Sequence, residues 1–288
     1  MYIRKIFAQK RCVFSVEFFP PKQQLKWEPL QQTLQQVQSV HPDFISVTCS
    51  AGGSGTGGVS TCQVASYLKN QLNIEPLAHL TCVGANRAGI EDSLDQLFAT
   101  GVRNLLILRG DRNPNIRQFT DFHHASDLAA FVRGPYGAFG LSGACYPEKH
   151  PESPSLRADV EMLKIKQESG ATHLCTQMFF DNLHFYRYMT LIRKEGIDLP
   201  VSAGVMPIVR KSQIDRTLAL SSASVPPAFR ALLDKWQDNP DGLYQAGIDY
   251  AIGQLRDLIE AGADGVHLYA MNNADVVVRI YEGIRDLL

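Results

Sequence analysis

The sequence predicts an α/β fold of the (β/α)8-barrel (TIM-barrel) kind. It reads as one domain over residues 1–288, with a helical insertion before the last strand. Three observations carry this reading. Eight short apolar runs alternate with longer stretches of helical period. The runs are apolar on both faces, as parallel strands covered by helices require. The polar residue that closes six successive runs recurs at near-constant steps, at Glu17, Thr48, His79, Asp111, Tyr146 and Gln177, 31 to 35 residues apart. One βα unit per step is the simplest structure with that spacing.

The predicted strands are VFSVEFF (13–19), DFISVT (43–48), EPLAHLT (75–81), RNLLILR (103–109), AFGLSGACY (138–146), THLCTQ (172–177), PVSAGVM (200–206) and DGVHLY (264–269). Between them LQQTLQQVQSV, TCQVASYLKNQL, EDSLDQLFAT, LRADVEMLKIKQES and FYRYMTLIRKEG place apolar residues at helical spacing. From Pro207 to Tyr269 the step doubles to 62 residues, which leaves room for added helices around 210–260. Strand–helix alternation alone also permits a doubly wound open sheet; the regular strand-end spacing favours closure.

Composition bounds the function. The chain is 45% hydrophobic and 20% charged with a formal charge of −1, which suits an ordinary globular protein and argues against a nucleic-acid binder. No apolar run approaches a membrane span, and the opening MYIRKIFAQKR lacks the apolar core of a secretion signal, so the expected location is the cytoplasm. The six cysteines form no C-x-x-C pair and read as scattered core thiols. No metal site is expected, since neither His79 nor His150 has a second histidine at ligand spacing.

In a barrel the carboxyl ends of the strands build the active site, so the strand-closing residues share one mouth. Glu17, within SVEFFPP, shares one strand face with Ser15 and Phe19; a carboxylate partly withdrawn from water suits a general acid, against the alternative of a structural ion pair. Asp111 ends LLILRGD, where Gly110 lets a ligand approach the backbone, against the alternative of a plain turn. The Gln177 amide offers the donor and acceptor that a heterocycle edge needs, while Phe179 and Phe180 read as core. His123 and His124 read as a solvent-facing helix start. Gly53, Gly55 and Gly58 satisfy G-x-G-x-x-G, but Glu75 opens its strand instead of closing one, so the segment reads as a loop at the mouth and not as a Rossmann fingerprint.

Taken together, SVEFFPP, FISVTCSAGGSG, PLAHLTC, LRGD, ACYPEKHPE, TQMFFD, GVMPI and HLYAMNNADV, in this order along nearly the whole chain, resemble the methylenetetrahydrofolate reductase family, in its short bacterial form. The resemblance implies FAD, with NADH or NADPH as donor and 5,10-methylenetetrahydrofolate as substrate, in ping-pong order on one flavin face. It implies Glu17 as the acid that opens the folate imidazolidine ring and Asp111 as a charge beside the flavin and folate. Thr48, His79, Arg109, Gly110, Ala144, Tyr146, His150, Asp159 and Lys166 are implied to line the FAD site with Asp111, and Gln177 and Gln213 to contact the substrate. A homodimer or homotetramer is also implied. Three positions depart from the family pattern: Cys49 in place of a tyrosine, Ile165 in place of a basic residue and Asn273 in place of an arginine. The competing readings are a flavin- or pterin-binding subunit of a partner reductase, and a Rossmann-type dehydrogenase.

Overall fold

A computed structural model describes residues 1–49, 58–111, 121–220 and 223–288. Eight parallel strands close into a barrel in sequence order, β1 (Val13–Phe18), β2 (Phe44–Val47), β3 (Pro76–Thr81), β4 (Asn104–Leu108), β5 (Gly140–Cys145), β6 (Ala171–Thr176), β7 (Val201–Val205) and β8 (Gly265–Tyr269). Each lies within two residues of its predicted span. Closure excludes the doubly wound alternative, because β8 pairs with β1 in register, Ser15 opposite His267 and Glu17 opposite Tyr269.

The outer ring is α2 (Trp27–Gln38), α3 (Thr61–Asn70), α4 (Arg87–Ala99), α5 (Ala125–Arg133), α6 (Leu156–Glu168), α7 (Asn182–Lys194), α8 (Lys211–Leu220) and α11 (Ala274–Ile284). The predicted insertion is α9 (Pro227–Trp236) and α10 (Pro240–Glu260), set between α8 and β8. Ring helices start sharply because side chains cap them: Ser60 accepts from Gln63 N, Asn86 from Gly89 N and Ser155 from Ala158 N. The main core lies between strands and ring, filled by residues such as Val16, Phe18, Ile45, Leu34 and Leu255. Phe179 and Phe180 are buried as expected, and His124, an N-cap, is exposed.

No periodicity announces α1 (Ile3–Phe7), a short helix that stops the amino end of the barrel. Ile3 and Ile6 pack onto Val13, Phe44, Leu77 and Leu106 inside the barrel, and Phe7 stacks on His173 at 4.8 Å. The Asn104 amide fixes this stopper: its oxygen accepts from Ile3 N (3.0 Å), and its nitrogen donates to Met1 O (2.9 Å) and Glu75 (3.0 Å). Among the described residues that end is filled, and the barrel opens at the carboxyl ends of its strands.

Candidate active site

Alternation along the strands sets the interior. Ser15, Ser46, Ser142 and Ser202 are buried, as are His79, His173 and His267. They form serine–histidine contacts across neighbouring or near-neighbouring strands: Ser46 Oγ to His79 Nε2 at 2.5 Å, Ser15 Oγ to His267 Nδ1 at 2.8 Å, and His173 between Ser142 (3.0 Å) and Ser202 (2.9 Å). Burial pulls the His79 pKa down to about 4 and that of His173 to about 3, so both imidazoles are neutral near pH 7.

Above this layer lies a cavity of about 370 Å³, lined by Glu17, Thr48, His79, Arg109, Gly110, Asp111, Ala144, Tyr146, His150 and Gln177. Ten of the thirteen site residues singled out in the sequence therefore meet at one mouth, including both proposed catalytic carboxylates. The structure adds Thr81, Cys175 and Tyr269 to the lining, where the Cys49 departure also lies. Glu17 Oε2 stands 3.5 Å from His79 Nε2 and 3.9 Å from His267 Nε2. Tyr269 donates to Thr176 O at 2.6 Å, and its ring needs the bare backbone of Gly204, where a Cβ would lie 2.6 Å from the ring. The glycine of Leu108-Arg109-Gly110-Asp111 answers to the fold as well as to any ligand: Gly110 has φ +89°, and a Cβ there would strike Val83 at 2.5 Å.

Asp159 and Lys166 lie in a neighbouring pocket of about 520 Å³ that shares Leu108, Arg109, Ala144, Tyr146 and His150 with the mouth, so the two spaces form one elongated cleft. Arg109 is held by a bidentate pair with Glu152 at 2.6 and 2.7 Å, which also raises its pKa and ties the loop after β4 to the loop after β5. Asp159 accepts from His150 N at 3.1 Å, and its pKa is raised by burial. Lys166 donates to Ala144 O at 2.6 Å, and burial lowers its pKa. Tyr146 meets His150 edge-on at 4.7 Å. The Ile165 departure lies on the wall of the same cleft.

Gln213 is placed apart. It lines a third pocket of about 410 Å³ beyond β7 and β8, walled by Phe19, Met178, Met206 and Val209, and its amide turns back to accept from Val209 N at 2.9 Å. Asn273 borders that pocket while capping α11 through Val276 N. Gly53 and Gly55 of the glycine-rich motif lie outside the described residues. Among the described residues, no cluster of three or more His, Cys, Asp or Glu is arranged to hold a metal, and no helix is long and apolar enough to cross a membrane.

A barrel stopped at one end, with convergent carboxylates, an amide and two cations along a cleft at the other, defines a (β/α)8-barrel enzyme architecture with a site for an elongated ligand. A sequence model of the methylenetetrahydrofolate reductases matches residues 2–285. The chain belongs to the methylenetetrahydrofolate reductase family. It is 31% identical over 284 residues to methylenetetrahydrofolate reductase (NADH) 1 of Arabidopsis thaliana, covering 94% of this chain and 48% of that protein. It is 30% identical over 268 residues to the 5,10-methylenetetrahydrofolate reductase of Pectobacterium carotovorum, covering 93% and 88%. It thus spans about half the length of the plant relative and most of the bacterial one. Among solved structures, a protein from Clostridium thermocellum that binds two copies of 5-methyl-5,6,7,8-tetrahydrofolic acid has a similar fold, with a TM-score of 0.71 at 11% identity, covering 99% of this chain and all of that one.

Proposed function

We propose that this protein is a flavin-dependent 5,10-methylenetetrahydrofolate reductase that forms 5-methyltetrahydrofolate with NADH or NADPH in ping-pong order. One catalytic barrel over residues 1–288 carries the activity. The observation that carries the reading is the convergence of Glu17, Asp111 and Gln177 on one mouth, in a chain whose family is methylenetetrahydrofolate reductase.

The cleft fits FAD. It is elongated, apolar along Leu108 and Ala144, and brings Arg109 and Lys166 to one side, where a diphosphate needs cations. Thr48, His79, Gly110, Tyr146, His150 and Asp159 complete the lining. When bound, the flavin supplies hydride acceptance from the nicotinamide and hydride donation to the folate.

The chain's own residues do the rest. Glu17 holds the proton that the departing folate nitrogen takes as the imidazolidine ring opens to its iminium. His79 stays neutral beneath it and adds no fixed positive charge there. Asp111, exposed at the end of β4, sets a negative charge where the cationic folate forms. Gln177 Oε1 accepts from Met178 N at 3.0 Å, which leaves Nε2 as the end for the pterin or the nicotinamide. Gln213 and the apolar pocket beside it take the rest of the folate. The protein acts in the cytoplasm as a homodimer or homotetramer, which light scattering checks.

The test is anaerobic stopped-flow. The bound flavin is expected to bleach with NADH or NADPH and to regain its colour on mixing with methylenetetrahydrofolate. Flavin that neither nicotinamide reduces, or that methylenetetrahydrofolate does not reoxidise, overturns the reading.

A further inference from the structure

His267 has no part in the mechanism above, yet its surroundings single it out. It lies on β8, opposite Ser15 and one layer below Glu17, and is 1% exposed. Its ring stacks over Phe44 at 6.2 Å and meets Tyr269 edge-on at 5.1 Å. Its Nε2 is buried and has no hydrogen-bond partner among the described residues. Buried polar groups without partners are rare in folded proteins, and each calls for a cause. Glu17 Oε2 stands 3.9 Å from this nitrogen, beyond hydrogen-bond length. His79, on the other side of the carboxylate, differs in this respect, because its Nε2 is already engaged by Ser46 Oγ at 2.5 Å.

The tautomer follows from the neighbours. Ser15 has one hydroxyl proton and donates it to Val266 O at 3.2 Å. With the hydroxyl proton on Val266 O, Ser15 Oγ accepts at its 2.8 Å contact with His267 Nδ1, and the tautomer that fits this arrangement carries its proton on Nδ1 and presents a lone pair at Nε2. A lone pair facing a carboxyl group bonds only the acid form. Closing from 3.9 Å to hydrogen-bond length asks for a shift of about 1 Å, within reach of a turn of the Glu17 side chain.

We propose that His267 is the positioning residue of the acid: its Nε2 accepts the proton of protonated Glu17 and holds the acid in place until the folate nitrogen takes that proton. Val266 O, Ser15 and His267 form a relay that fixes which ring nitrogen is the acceptor. This rests on Glu17 being the acid of the folate half-reaction.

The experiment compares half-reactions of the flavin-loaded protein. His267→Phe keeps the ring's volume and removes the acceptor. It is expected to slow reoxidation by methylenetetrahydrofolate about ten- to a hundredfold, less than full loss of a general acid, while nicotinamide-driven reduction stays within about twofold. His267→Gln, whose amide oxygen reaches the same place, restores most of the rate. In the Glu17→Gln background His267→Phe should add nothing, since a group that works through Glu17 has no effect without it. Difference infrared spectra give a readout apart from turnover: the carbonyl stretch of protonated Glu17 rises in frequency when His267→Phe removes its acceptor. If His267→Phe fails to load flavin, Ser15→Ala, which frees the tautomer, is read in the same way with a smaller slowing. Reoxidation at the wild-type rate, equal slowing of both half-reactions, or an undiminished effect in the Glu17→Gln background overturns the proposal. A wild-type protein that methylenetetrahydrofolate never reoxidises overturns the functional reading instead.

Discussion

The two ends of the barrel hold similar polar side chains and treat them in opposite ways. At the stopped end His173 has a serine on each ring nitrogen, and Asn104 makes three hydrogen bonds to or beside α1. At the mouth Glu17 faces two imidazoles at 3.5 and 3.9 Å, and one of those, His267, keeps a buried nitrogen without a partner among the described residues. Partnered groups at one end serve the fold. Groups left with open valences at the other are ready for a ligand or a proton. Stability and chemistry are thereby placed on opposite ends of the same strands.

Substitutions that cross this division test it. The largest effect is expected at the mouth. Glu17→Gln should slow reoxidation by methylenetetrahydrofolate by about 10²–10⁴-fold while the denaturant midpoint and the reductive half-reaction stay near wild type. A similar slowing of both half-reactions breaks the comparison.

Acid should act on the interior histidines. Their folded pKa values, about 4 for His79 and about 3 for His173, lie below the unfolded value near 6.5, so the unfolded chain binds more protons in between. Their contribution is fully present above about pH 6.5 and is lost as pH falls toward those values, at up to about 2.7 kcal/mol per pH unit for two protons. Urea midpoints at pH 7, 6 and 5 should fall along that slope, and His173→Gln should remove about half of it. A flat profile refutes the burial argument.

Asn104→Ala strips the partner from Ile3 N at the stopped end and should cost about 2–3 kcal/mol of stability, read by urea unfolding. Flavin reduction by nicotinamide at full loading should be unchanged, and a slowed reaction there shows that the two ends communicate. The smallest effect is expected from Lys166→Ala, which removes one charge-assisted contact and should weaken flavin retention about tenfold, near 1.4 kcal/mol, by equilibrium dialysis. Unchanged retention removes Lys166 from the cofactor site.

The strands were legible because parallel strands covered on both faces read as apolar runs, and the mouth because polar residues at their ends break those runs at a regular step. Glu17, His79, Asp111 and Gln177 were found this way. What was hidden depends on register or on distant partners. No spacing announces that Ser15 lies opposite His267, or that Arg109 meets Glu152, 43 residues away. The five residues of α1 are too few to show a period. Gln213 was implied by the family resemblance alone, and its amide proved to be turned onto its own loop, a choice of rotamer that no pattern records. Gly110 was read for ligand approach, and the packing of Val83 against it became visible only in three dimensions.

The pairing of β1 with β8 also sets a schedule for synthesis. Ser15 and His267 are 252 residues apart, so Glu17 leaves the ribosome with its eventual neighbour still to be made. At about 5–20 residues per second the interval is on the order of 10–50 s. Throughout it the edge of β1 that will meet β8 stays unpaired, and the apolar faces of β1 and β2 lack their final cover. A nascent chain stalled before residue 265 therefore exposes a strand edge that the finished barrel does not have, and that intermediate is where this fold is most open to chaperones and to aggregation.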